Sequence, residues 1–271
     1  MEKARYVYNE KASILVSIKE LIRNNLKGFA EFLEHIQKEK PHLIDAYLEE
    51  VISKCNINED YGIIVAGEDE IFQNNPKLLN SSINIILNLL NYTRYQKDSN
   101  DEKININMVD LVKVYTNFDY IQASSLLRVM SREEAISFIK EYISQQVKKK
   151  NNPNNYYNNF EELIENFVSI NKTWQAHDGK IMIVNGNKMI LKVNKCRWAE
   201  ELLEQGCDKE LCFSMMCYQD FAQVKNYNPS FTLTRTKTIM QGDDYCDFCY
   251  HDNRALEEIN HPSIEFWKNF D

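Results

Sequence analysis

Residues able to do chemistry gather in the last third of this chain. Cys196 and Glu200 are four apart and Cys217 and Asp220 three apart, so each pair shares a face if its segment is helical. Further on, TRTKTIMQGDDYCDFCYHD (234–252) crowds Arg235, Thr236, Cys246, Asp247, Cys249 and His251 into one short stretch. A thiol can attack an electrophilic carbon, a carboxylate can carry protons, and a guanidinium fork can grip a carboxylate. A carboxylate beside a thiol does not activate it, because negative charge raises the thiol pKa. The acids therefore read as proton carriers or orienting groups. His251 could serve as a general base near neutral pH, with a plain surface histidine as the alternative.

Metal chemistry has one signal and one objection. Cys246-Asp-Phe-Cys249 has the C-x-x-C spacing of a zinc knuckle, with Cys196, Cys217 and His251 available to complete a site. Zinc knuckles hold their cysteines in a turn, whereas here alternation predicts a strand that points the two thiols apart. No metal and no cofactor is expected.

The elements that must position these residues follow from period. Phe231, Leu233, Arg235, Lys237 and Ile239 alternate with Thr232, Thr234, Thr236, Thr238 and Met240, which predicts a strand. Gln241-Gly242-Asp243-Asp244 supplies a reversal, and Tyr245 to His251 should return antiparallel. On that returning strand Tyr245, Asp247, Cys249 and His251 share one face, and Cys246, Phe248 and Tyr250 the other. If the Arg235 face is buried, the guanidinium needs a partner, either a ligand carboxylate or a local acid. An earlier hairpin is marked by Asn185-Gly186 between Lys180–Val184 and Lys188–Val193, and two helices, Lys195–Glu204 and Lys209–Lys225, separate the hairpins. The fold class is α+β: an antiparallel sheet of two hairpins with helices packed on one face, preceded by an all-helical N-terminal segment. The tail from Arg254 should be helical and cover something.

Upstream, apolar residues recur at helical spacing from Glu10 to Lys38, from Pro41 to Ile52, from Ser81 to Tyr95 and from Asn107 to Met130. Ser131-Arg-Glu-Glu134 matches a capping box before a further helix, and Phe160–Ile170 forms another. Cys55 reads as a small buried hydrophobe, and 62–65 as a short strand. The polar run 95–103 suggests a boundary, giving a helical accessory or oligomerisation segment over 1–100 and an α+β domain over 101–271. KKKNNPNNYYNN (148–159) should be an exposed loop.

Composition sets the outer limits. With 271 residues, 44% hydrophobic and 27% charged, the chain can bury a core and is not disordered as a whole. A net charge of −8 argues against nucleic-acid binding, which needs a concentrated basic face. No apolar run approaches the roughly 20 residues that span a bilayer, and MEKARYVYNEK lacks the apolar core of a signal peptide. A cytoplasmic, non-membrane protein is expected. Seven cysteines, mostly between Cys196 and Cys249, then suggest thiols or packing more than disulfides.

NKCRWAEELLEQG (194–206) and LCFSMMCYQDFAQVKNYNPSFTLTRTKTIMQGDDYCDFCY (211–250) resemble the L-2-amino-thiazoline-4-carboxylic acid hydrolase family, over about residues 106–252. The resemblance implies a hydrolase that opens a small cyclic amidine-like ring at a C–N bond, with cysteine and carboxylate participation, on a carboxylate-bearing substrate. It puts the family's motif cysteines on Cys196, Cys217 and Cys246, its acids on Glu200, Asp220 and Asp247, and its arginine on Arg235. Cys217, Cys246, Asp220 and Asp247 are the catalytic candidates; Arg235, Cys196, Glu200, Thr236 and His251 are the substrate-binding ones. Cys249 stands where the family often has a basic residue, a lost charge that could alter the substrate. The hairpin, helices, hairpin order is also similar to 4-vinyl-reductase-type ligand-binding domains, for which a sensor or dimeric scaffold is the expectation.

Overall fold

A computed structural model describes residues 3–54, 70–92, 103–150, 156–255 and 258–270. Cys55, the expected strand at 62–65, all of the expected boundary except Lys103, and residues 151–155 of the expected loop lie outside the described residues, and the first two residues of that loop, Lys148 and Lys149, are helical. Two compact units result, one of Ser13–Tyr142, the other of Met1–Ala12 with Ile143–Asp271.

After β1 (Lys3–Tyr6), Ser13–Ser17 is not the start of a helix but a strand, β2, and helix α1 (Ile18–Glu39) begins only after it. Ser17 sets that boundary by accepting the Glu20 N–H on its Oγ at 3.3 Å. A 3₁₀ turn at Pro41 leads into α2 (Ile44–Lys54), followed by α3 (Glu70–Gln73) and α4 (Pro76–Leu89). β3 (Lys103–Asn107) pairs antiparallel with β2, and Asn107 then caps α5 (Met108–Leu126) through the Val109 N–H at 2.8 Å. Phe29 holds this unit's core together, packing on Phe72 and edge-on against Phe118, with centroids 5.9 and 5.6 Å away. The predicted capping box opens α6 (Arg132–Lys149): Ser131 Oγ accepts the Glu134 N–H, and the Ser131 N–H donates back to the Glu134 carboxylate.

α7 (Phe160–Trp174) leads to β4 (His177–Val184) and β5 (Lys188–Cys196), joined as predicted through Asn185 and Gly186, both at positive φ. Then come α8 (Arg197–Glu204), α9 (Lys209–Cys212), a π-helical turn over Phe213–Cys217, α10 (Gln219–Tyr227), β6 (Phe231–Thr234), β7 (Cys246–Asp252) and α11 (Ile264–Lys268). The sheet order is β1-β4-β5-β7-β6, every pair antiparallel, so the α+β reading holds. Ile181, Leu191, Val193, Cys246 and Tyr250 point to one face, where Phe160 and Leu163 of α7 and Val224 of α10 bury them. Met182, Ile190 and Cys249 point to the other, covered by Trp267 and Phe270. The tail is helical only over α11, and what it covers is this second face.

Two irregularities decide where the chemistry goes. β6 stops at Thr234 instead of running to Met240, because carboxylates take the backbone donors that would extend the ladder. Asp247 Oδ1 accepts the N–H groups of Thr236 and Lys237 at 2.8 and 2.7 Å, and Asp243 accepts that of Thr238 at 2.9 Å. Strand parity therefore fails beyond Arg235, and Thr238 and Met240 turn inward. The second irregularity is a bulge: Asp178 pairs with Lys195 but Gly179 with Val193, leaving Asn194 as an extra residue on β5. One inserted residue moves everything beyond it to the opposite face. Cys196 consequently lies on the same side as Leu191 and Val193, packed against the first core. Gly179 permits the bulge, since a Cβ there would collide with the Lys192 carbonyl.

Candidate active site

A cavity of about 360 Å³ opens on the first face of the sheet. Five of the predicted residues line it: Cys196, Cys217, Asp220, Arg235 and Cys246. Cys196 comes from the end of β5, Cys217 from the π-helical turn, Asp220 from the first turn of α10, Arg235 from just past β6, and Cys246 from the start of β7. Aromatic side chains form much of the remaining wall, including the paired rings of Trp174 and Trp198, 5.5 Å apart.

Arg235 finds its partner inside the protein. Its side chain is 2% exposed, one N–H donates to Asp220 Oδ2 at 2.9 Å and another to the Cys217 carbonyl at 3.0 Å. The guanidinium also lies over the rings of Phe248, Phe221 and Phe213, at 4.6, 5.0 and 5.4 Å. Of the two partners expected for it, the local acid is therefore the one present. Its buried Nε has no hydrogen-bond partner among the described residues. Asp220 uses Oδ2 in this pair, and the residue lines the cavity. Burial raises the Asp220 pKa, and the neighbouring Arg235 charge draws it partway back.

Each of the three thiols is held protonated at neutral pH. Burial pushes Cys196 up to about 12, against the pull of the Ala199 and Trp198 N–H groups. Burial also raises Cys217 well above the ordinary thiol value, with Arg235 opposing and Asp220 adding to the rise. Cys246 is raised by burial despite accepting the Ile239 N–H on its sulfur at 3.3 Å. No resting thiolate is available, so attack by sulfur requires a base.

Among the lining residues that the sequence pattern does not flag as chemical is His177. It opens β4 on the cavity side of the bulge, opposite Cys196 in the ladder. Burial lowers its pKa to about 4, so the imidazole is neutral. Only the ladder pairing with Cys196 could have flagged it, and the extra residue Asn194 hides that pairing from a count along the sequence.

The other candidates lie elsewhere. Glu200 sits outside the cavity wall, accepting from Tyr8 Oη at 3.1 Å and from Arg197 at 3.3 Å. Asp247, Thr236 and His251 belong to a network on the second face. Asp247 accepts from Thr236 Oγ1 at 2.6 Å and contacts His261 Nε2 at 2.9 Å; Thr234 Oγ1 lies 2.9 Å from His261 Nδ1 and 2.8 Å from His251 Nε2. The Trp267 indole N–H also donates to His261 Nε2 at 3.1 Å, tying the tail to this network. Burial lowers His251 to about 4, and none of these residues lines the cavity. They brace the loop that delivers Arg235. Cys249 is buried on this same face against Trp267, so its departure from the family pattern does not border the cavity.

Asp247 gives this bracing a pH signature. Burial works to raise its pKa, but the bonds from His261, Thr236 and the two backbone N–H groups outweigh it and hold the carboxyl below its ordinary value. A depressed folded pKa stabilises fully above the unfolded value of about 3.9, and that contribution is lost as pH falls through the folded value. Thermal unfolding between pH 6 and pH 2.5 should show the wild type losing more stability on acidification than Asp247→Asn. Parallel curves would remove Asp247 from this role.

Among the described residues no three His, Cys, Asp or Glu side chains converge as a metal site, and no helix is long and apolar enough to cross a membrane. Residues 116–250 match the family model of L-2-amino-thiazoline-4-carboxylic acid hydrolase, a stretch that holds every cavity residue named here. No curated protein and no solved structure matches the chain.

Proposed function

From the match of residues 116–250 to the L-2-amino-thiazoline-4-carboxylic acid hydrolase family, we propose that this chain is a hydrolase acting on a thiazoline-type cyclic amidine. One observation carries the reading: a single cavity collects the Asp220–Arg235 ion pair, three protonated thiols and a neutral imidazole within aromatic walls. A protonated cyclic amidine is flat and cationic, and the carbon between its ring sulfur and nitrogen is electrophilic. The Asp220 carboxylate can accept its N–H, while the unpartnered Arg235 Nε suits a carboxylate on the same ring. A nucleophile then adds to the ring carbon, and an acid protonates the departing ring atom. Breaking the ring C–N bond would leave the carbamoyl group on sulfur; breaking the C–S bond would leave it on nitrogen, as N-carbamoyl-cysteine, and free a thiol.

The test is incubation of the full chain with 2-aminothiazoline-4-carboxylate and with 2-aminothiazoline, followed by mass spectrometry and a thiol assay. Gain of one water is expected, faster with the carboxylate present, and the thiol assay tells the two ring openings apart. Saturable binding with no turnover of either compound would instead make the chain a ligand-binding module.

A further inference from the structure

Three thiols share the cavity, and neither family motif nor spacing separates them; the bulge does. If β5 ran through Asn194 in regular alternation, with no bulge, Cys196 would point to the second face. With it, Cys196 and His177 are directly opposed in the β4–β5 ladder and both line the cavity, and residues so placed have Cβ atoms roughly 5 Å apart. Cys196 is also the N-cap residue of α8, where the Trp198 and Ala199 N–H groups favour negative charge on its sulfur. The imidazole has no hydrogen-bond partner among the described residues, so its lone pair is free for a proton. The rival thiols lack this arrangement. Cys246 is 6% exposed and its sulfur already accepts the Ile239 N–H, and at Cys217 burial outweighs the nearby Arg235 charge, with no imidazole set opposite it in the ladder.

We propose that Cys196 is the nucleophile and His177 its base, and that the thiol ionises only when a cationic amidine occupies the cavity. The substrate's charge rests on the function proposed above. Burial disfavours a lone thiolate and a lone imidazolium alike; forming them side by side, next to an amidinium, offsets that cost. The S–H proton passes to His177 as sulfur bonds to the ring carbon. The bond from that carbon to the ring nitrogen or ring sulfur breaks, and the departing atom leaves with the proton from His177. Water then adds to the same carbon, losing a proton to His177. The bond to Cys196 breaks, its sulfur recovers the proton, and the carbon becomes a carbonyl. One water is consumed and no electrons change hands.

The probe is 2-chloroacetamidine, a cationic alkylating amidine, with neutral iodoacetamide as control and peptide mapping as readout. Cys196 should be the first residue alkylated by chloroacetamidine, and its preference over iodoacetamide should exceed that of free cysteine about 100-fold. His177→Gln, shown to be folded by circular dichroism, should slow the chloroacetamidine reaction about 100-fold, the scale of a lost general base. Alkylation of Cys217 or Cys246 first, no alkylation of Cys196, or an unchanged rate in folded His177→Gln overturns the assignment. The wild-type map is decisive even if that variant does not fold. Should the labelling behave as described while no cyclic amidine is hydrolysed, the dyad stands and the proposed hydrolase function falls.

Discussion

Arg235→Ala should lower stability by about 3 kcal/mol, at the low end of what breaking a buried ion pair costs. The guanidinium is almost wholly enclosed and gives up five contacts at once: Asp220, the Cys217 carbonyl, and the faces of Phe248, Phe221 and Phe213. Alanine fills none of that volume and leaves Asp220 with an anion that burial already disfavours. Asp220 is itself one-third exposed, so water recovers part of the loss, which places the estimate below the upper range. Arg235→Lys keeps the charge but has no fork to reach Asp220 and Cys217 together, and should recover less than half. Urea unfolding of both variants, with Asp220→Asn closing a double-mutant cycle, checks this. A cost under about 1 kcal/mol for Arg235→Ala, the level of an exposed pair, would mean that the pair does not organise the cavity.

The same residue shows how far local patterns reach. Alternation from Phe231 to Arg235 correctly turns the guanidinium inward with Leu233, because a strand's period is a local property of the backbone. It fails beyond, where Asp243 and Asp247, on the far side of the turn and up to 11 residues on, take the backbone donors of Thr236 to Thr238. The Asn185-Gly186 turn and the Ser131 capping box are legible for the corresponding reason: turn and cap signals act within four residues. Alternation on β7 also separates Cys246 from Asp247 and His251, so placing them in one site contradicts a pattern visible in the sequence itself. What sequence cannot carry is partnership across strands. The bulge at Asn194, and through it His177, arises only once β4 and β5 are in register. The strand at Ser13–Ser17 likewise exists because Lys103–Asn107 pairs with it, overriding the helical period read around Ile14.

Asp220→Asn should reduce turnover of a cyclic amidine by roughly 100-fold or more, because a neutral amide replaces the charge-assisted partner of a developing cationic centre in an aromatic-walled cavity. Asparagine keeps an oxygen for Arg235, so the fold should survive and the loss should appear in catalysis. The pH dependence carries the sign of the effect. Burial holds the Asp220 pKa above the ordinary carboxyl value even with Arg235 beside it. Amidine binding needs the ionised form and therefore weakens as pH falls through that raised value, at higher pH than for a free aspartate near 3.9. His177, with its pKa lowered to about 4, also gains a proton on the acid side and would confuse a rate profile. Competitive inhibition by acetamidine avoids this, since it reports binding without proton transfer. Its inhibition constant should rise on acidification in the wild type and in His177→Gln, and stay flat in Asp220→Asn. A flat wild-type profile would remove Asp220 as the amidinium anchor, leaving the cavity without an anion to select a cation.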